Sequence, residues 1–134
     1  MNWHKLSLNP KALENLFERV PNLENVELFS INLDREGAKL LARFNLPEFP
    51  HKPSAKWNKH FNTAQIQVSF WGISNFEAKG WEYNMEIDIE IFEVDNLFSV
   101  KFSNPEIKLT YSFLCEFFRI ENISAYETVI EKKI

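Results

Sequence analysis

The chain reads as an α+β domain, with one N-terminal helix packed on a mostly antiparallel β-sheet of six to eight strands. Three observations point there. Across residues 85–94 apolar and acidic side chains alternate, the period-2 mark of a strand with one buried and one wet face. Asp95-Asn96 follows as a two-residue hairpin turn, because both residue types tolerate positive φ, and residues 97–103 then alternate in return. Upstream, Asn9-Pro10 opens a helical pattern: Asn caps free N–H groups and Pro at the first position loses nothing.

The helix is expected to run through Arg19 or Val20, with Leu13, Leu16, Phe17 and Val20 on one face, until Pro21 stops it. Residues 26–33 and 39–46 follow as two strands joined by Asp34-Arg35-Glu36-Gly37. Phe29, Ile31 and Leu33 share one face of the first; Leu40, Ala42, Phe44 and Leu46 share one face of the second. Pro47, Pro50 and Pro53 then stiffen residues 46–60 into an extended loop, packed through Phe49 and Trp57.

Residues 63–70 alternate again, placing Ala64, Ile66, Val68 and Phe70 toward the core, and Gly72 marks a bulge or bend. Residues 73–81 are harder to assign, with Phe76, Lys79, Gly80 and Trp81 suiting a return strand. In the central hairpin, Val94 opposite Leu97 sets Ile91 against Val100, Ile89 against Phe102 and Glu90 against Lys101. Apolar meets apolar and acid meets base, as a correct register requires. Asn104-Pro105 is a turn before Ile107, Leu109, Tyr111 and Phe113 alternate. Strand and helix periods compete over residues 114–118. Phe117, Ile120, Ile123 and Tyr126 are expected to be buried, and Glu131-Lys132-Lys133 reads as a frayed end.

No linker or repeat divides the 134 residues, so a single domain over 1–134 is expected. Thirteen Phe and four Trp supply an ample core, while only three Gly speak against a Gly-rich phosphate loop. A net charge of −4 disfavours non-specific contact with nucleic acid or an anionic membrane. Cys115 is the lone cysteine, which suits a reducing compartment. The N-terminus lacks the apolar core of a signal peptide, and no run reaches the roughly 18–20 apolar residues that span a bilayer. A cytoplasmic protein is the expectation.

Between Trp81 and Asp95 stand six acids (Glu82, Glu86, Asp88, Glu90, Glu93, Asp95) and no Lys or Arg. Glu86, Asp88 and Glu90 project from one strand face at steps of about 6.6 Å. Catalytic carboxylates face each other across a cleft, whereas these form a row. They read as a solvated face or as a ridge for a basic protein partner. The Pro-rich loop gathers Lys52, Lys56, Lys59, His51 and His60 against Glu48, which would suit a nucleic-acid contact with three Lys on the backbone and Trp57 stacking on a base. A stiff surface loop anchored by aromatics explains the same residues. The three histidines lack metal-ligand spacing, and Cys115 sits in an apolar context without a base. Neither cofactor nor metal is expected. Trp71 interrupts a polar face and is expected either to pack under the Pro-rich loop or to anchor a partner.

Several stretches in order resemble the immunity protein 50 family of bacterial polymorphic-toxin systems. They are Pro21-Asn22-Leu23-Glu24-Asn25-Val26 with Ile31-Asn32-Leu33-Asp34-Arg35-Glu36-Gly37; Leu46-Pro47-Glu48-Phe49-Pro50 with Lys56-Trp57; Phe61-Asn62-Thr63-Ala64-Gln65-Ile66; Gly80-Trp81; and Ile123-Ser124-Ala125-Tyr126. None is a catalytic signature. The resemblance implies a small α+β antitoxin, not an enzyme, that binds and neutralises a cognate toxin encoded beside it, in the cytoplasm of the producing cell. Its contact residues are expected among Glu82, Glu86, Asp88, Glu90, Lys52, Lys56 and Trp57, with a basic nuclease domain as a natural target. The competing expectation is a small ligand-binding or enzymatic domain with its site between the sheet and the loop at 46–60.

Overall fold

Alternating sequence becomes strand throughout the computed structural model, which describes residues 2–129. The strands are β1 (Val26–Asp34), β2 (Lys39–Asn45), β3 (Thr63–Trp71), β4 (Ser74–Lys79), β5 (Glu86–Val94), β6 (Leu97–Asn104), β7 (Leu109–Cys115) and β8 (Phe117–Tyr126). They form one eight-stranded sheet in the order β4-β7-β6-β5-β1-β2-β3-β8, with every pairing antiparallel. The Glu131-Lys132-Lys133 end lies outside the described residues.

The central hairpin has the register the residues dictate. Glu90 pairs with Lys101, Ile89 with Phe102 and Val94 with Leu97, and Asp95 takes the positive φ of 55° that the turn needs. Ile87, Ile89 and Ile91 are buried, so Glu86, Asp88 and Glu90 are turned outward.

The sheet curls back on itself through one bent pair. β3 runs past Gly72, at φ +68°, into β4, and β7 runs past Glu116 into β8. Trp71 lies opposite Phe117 and Ser74 opposite Leu114, and the Glu116 N–H donates to the Trp71 carbonyl at 2.8 Å. The segment after the bend therefore does not return along β3, as its residues had suggested. It continues onward and pairs with β7. The curl encloses the core. Phe70 of β3 meets Phe102 of β6, Phe113 of β7 and Phe118 of β8 at centroid separations of 6.2, 5.2 and 5.6 Å. β3 and β6 are not sheet neighbours, so the first contact crosses the interior. Each such ring, fully buried, contributes about 1.5–3 kcal/mol.

The helical layer is much smaller than expected. Helix α1 is a single turn, Lys11–Glu14, preceded by a 3-10 turn at Trp3–Leu6. Leu13 and Phe17 are buried, so the apolar spacing located the inner face correctly. The backbone leaves the helix because its carbonyls are claimed by the Pro-rich loop. The Lys52 N–H donates to Leu16 O at 2.8 Å, and Lys52 Nζ donates to Glu14 O at 3.2 Å. Asn9 does not cap with its side chain either. It pairs with β8, its Oδ1 accepting from Ile120 N at 2.9 Å and its Nδ2 donating to Ile120 O at 2.8 Å. Together with Leu8 N–H donating to Phe118 O at 3.0 Å, this covers part of an otherwise open sheet edge.

Two bulges explain the remaining differences. One between Leu28 and Ser30 in β1 keeps Leu28 buried and turns Phe29 outward beneath the Arg43 guanidinium, 5.5 Å from the ring. Phe29 thus leaves the face that Ile31 and Leu33 share. The other, between Gln67 and Val68, sets Val68 opposite Ile120 and Gln67 opposite Asn122. In β8 it is Phe118 and Ile120 that are buried, while Phe117, Ile123 and Tyr126 are half-buried. Strand wins over helix where the two periods competed, at residues 114–118.

Candidate functional site

Because β5 buries its isoleucines, its carboxylates line an open groove of about 350 Å³ bounded by Asn25, Glu86, Asp88, Ser103 and Glu106. Glu82 sits before β5 and is exposed, and Glu27 of β1 lies opposite Glu86. Glu27 adds a carboxylate that reading the strand alone did not find, because it comes from a segment about sixty residues away. Lys101 faces Glu90 across the strands without closing an ion pair; the ion pairs among the described residues are His4–Glu14 and His51–Glu48. Glu82, Glu86 and Glu90 therefore keep free carboxylates.

Asp88 differs from its neighbours. Its Oδ1 accepts the Asn25 N–H at 2.9 Å, and Asn25 stands at φ 56°. The carboxylate thus satisfies a backbone donor where the chain kinks beside β5, just before Val26 begins to pair with Ile87. Asp88 therefore keeps its place on the outward face while also bracing the backbone just before β1.

Lys52, Lys56 and Trp57 of the Pro-rich loop lie elsewhere, although a groove of about 440 Å³ joins Pro47 and Glu48 at the start of that loop to Glu24 and Asn25. Lys52 is bound to the α1 carbonyl, Lys56 is exposed, and Trp57 packs on Phe49 at 5.9 Å. Trp57 also borders an open groove of about 460 Å³ with Asn9, Asn15 and Arg119. Trp71 packs neither under this loop nor free in solvent. It stacks on Phe117 at 6.0 Å, donates from Nε1 to Ser69 Oγ at 2.9 Å, and lies 5.0 Å below Lys39 Nζ.

A second groove, also about 460 Å³, was not legible in the pattern. Ile31 and Leu33 of β1, Phe76 and Ala78 of β4, and Trp81 and Tyr111 line it. Gly80 sets Trp81 there. Its φ is +91°, and a Cβ would fall 2.8 Å from Lys108 O and 2.9 Å from Leu109 Cα. The Tyr111 hydroxyl donates to Gly80 O at 2.6 Å, and burial pushes the Tyr111 phenol above its ordinary pKa. Its only signal in sequence was the Gly80-Trp81 pair.

Cys115 is fully buried, and burial pushes its thiol up to about 12, so it stays protonated and unreactive at neutral pH. Among the described residues no group of three His, Cys, Asp or Glu is placed to hold a metal ion. No helix there is long and apolar enough to cross a membrane.

These features define a small, curled antiparallel β protein whose free polar and aromatic groups are displayed on open surfaces. The chain belongs to the immunity protein 50 family, whose model matches residues 9–126, most of the sequence. Membership implies a non-enzymatic role. Comparison with curated proteins and with solved structures returned no match.

Proposed function

We propose that this chain is an antitoxin that binds and neutralises a cognate bacterial toxin in the cell that makes both, using its acidic strand face. Family membership supports the class. The observation that carries the surface is the groove of about 350 Å³ bordered by Glu86, Asp88 and Glu106, with Glu27 paired opposite Glu86. Such a surface accepts Lys and Arg side chains and accelerates encounter with a basic partner. A nuclease holds phosphates with the same cations, so its active-site cleft is a fitting target. The ligand-binding alternative rests on the groove beside Trp57. That groove is an open trough bordered by Asn9, Asn15, Arg119 and Glu121, and family membership favours the antitoxin over it.

The test uses the toxin domain encoded in the adjacent reading frame. Its association with this chain should slow as salt rises from low to physiological levels. Glu82→Lys with Glu86→Lys should slow it about tenfold or more and reduce protection in cells expressing the toxin. Both side chains are free, so the fold should be unaffected. Asp88 is spared because it supports β1. A double variant that folds, binds and protects as wild type does would refute the acidic surface and direct attention to Lys52, Lys56 and Trp57.

A further inference from the structure

We infer that the groove beside Trp81 is the apolar anchor of the same interface, receiving a large apolar side chain from an extended segment of the partner whose flanking residues are Lys or Arg. This rests on the antitoxin reading and deepens it. The groove exposes what a folded chain ordinarily covers: Trp81 is 70% and Leu33 56% exposed, and Tyr83, two residues on, is fully exposed. The backbone that presents Trp81 is held in place. Gly80 accepts from the Tyr111 hydroxyl and lies against the backbone of Lys108 and Leu109. A tryptophan on a fixed backbone has only its two side-chain torsions to lose on binding, and such residues dominate interfaces.

Strand edges supply the rest. β1 pairs with β5 only through Val26 and Glu27, leaving residues 30–34 without a strand partner on that side among the described residues. β4 is terminal in the strand order, so its outer edge is open as well. Residues of both strands line the groove, and an extended segment laid along either open edge can exchange backbone hydrogen bonds while its side chain fills the apolar floor. Charge decides what flanks that side chain. Directly after Trp81 come Glu82 and then Glu86, within a stretch of six acids and no cations, so the chain leaving the groove enters the acidic face. Lys79 stands one residue from Ala78, on the opposite side of β4 from the groove. The complement is a basic protein segment with one large apolar residue.

Calorimetry with the toxin domain from the adjacent reading frame tests this, using wild type, Trp81→Ala, Leu33→Ser and Trp81→Phe. Trp81→Ala should weaken binding at least about 30-fold, Leu33→Ser about tenfold, and Trp81→Phe much less. Melting temperatures should match wild type, because both side chains are largely exposed. Wild-type binding that survives both truncations within about twofold overturns the groove and leaves the antitoxin reading standing. No binding by wild type overturns both. If sedimentation shows a dimer that Trp81→Ala splits into monomers, the occupant is a second copy of this chain, and the assigned partner is wrong.

Discussion

Replacing Gly80 with alanine tests the hinge that presents Trp81, and the structure sets the size of the effect. At φ +91° an L-residue costs about 1–2 kcal/mol before any contact is counted. The new Cβ would lie 2.8 Å from Lys108 O and 2.9 Å from Leu109 Cα. Both are backbone atoms, so neither can rotate aside and the strand itself must move. That movement strains the 2.6 Å bond from the Tyr111 hydroxyl to Gly80 O, worth about 1 kcal/mol net. A loss of about 3 kcal/mol follows, a large share of the roughly 5–15 kcal/mol that holds a domain folded. For a chain of this size the midpoint should drop by about 10 °C. Urea and thermal unfolding followed by circular dichroism and tryptophan fluorescence would measure it. Gly37→Ala is the control: its φ is +78°, but the nearest obstruction is the edge of the Trp71 ring at 3.3 Å, which can yield. It should cost about 1–1.5 kcal/mol. Tyr111→Phe, which removes only the hydroxyl, should cost about 1 kcal/mol. The hinge argument fails if Gly80→Ala loses less than about 1 kcal/mol, or no more than Gly37→Ala.

The other predictions separate structural from displayed groups. Asp88→Ala should cost about 0.5–1.5 kcal/mol by removing the acceptor of the Asn25 N–H, whereas Glu86→Ala and Glu90→Ala should stay within about 0.5 kcal/mol of wild type in the same urea titration. The Cys115 thiol should resist alkylation in the native protein and react once urea unfolds it. Because burial raises its pKa from 9.0 to about 12, its contribution to stability is complete below about pH 9 and declines as pH rises toward 12. Tyr111 is shifted in the same direction, so alkaline unfolding of Cys115→Ala and Tyr111→Phe should each be less steep with pH than that of wild type. Equal slopes in all three proteins would contradict this.

Ile87, Ile89 and Ile91, with Val100 and Phe102 across the turn, were legible because a strand's faces alternate with a fixed period and a two-residue turn fixes its register. The acidic row followed from the same period: burying the isoleucines leaves Glu86, Asp88 and Glu90 no other side. Leu13 and Phe17 were correctly read as inward, yet the helix around them was not. Apolar spacing reports burial, and a hydrogen bond from a distant loop can satisfy the carbonyls that a longer helix would have used.

Sequence by itself therefore determined most of the strands, β4 and the start of β8 excepted, the central hairpin, most of the core and, through its ordered motifs, the immunity protein 50 family. Tertiary structure alone decided that the sheet curls at Gly72 and that β4 pairs with β7. It also decided that Asp88 secures Asn25 and that Ile31, Leu33, Phe76 and Trp81 share a groove. The physical reason is range. Period and turn chemistry act between neighbours along the chain, whereas Asn25 and Asp88 are 63 positions apart, and only the closed fold brings a donor from one to an acceptor on the other.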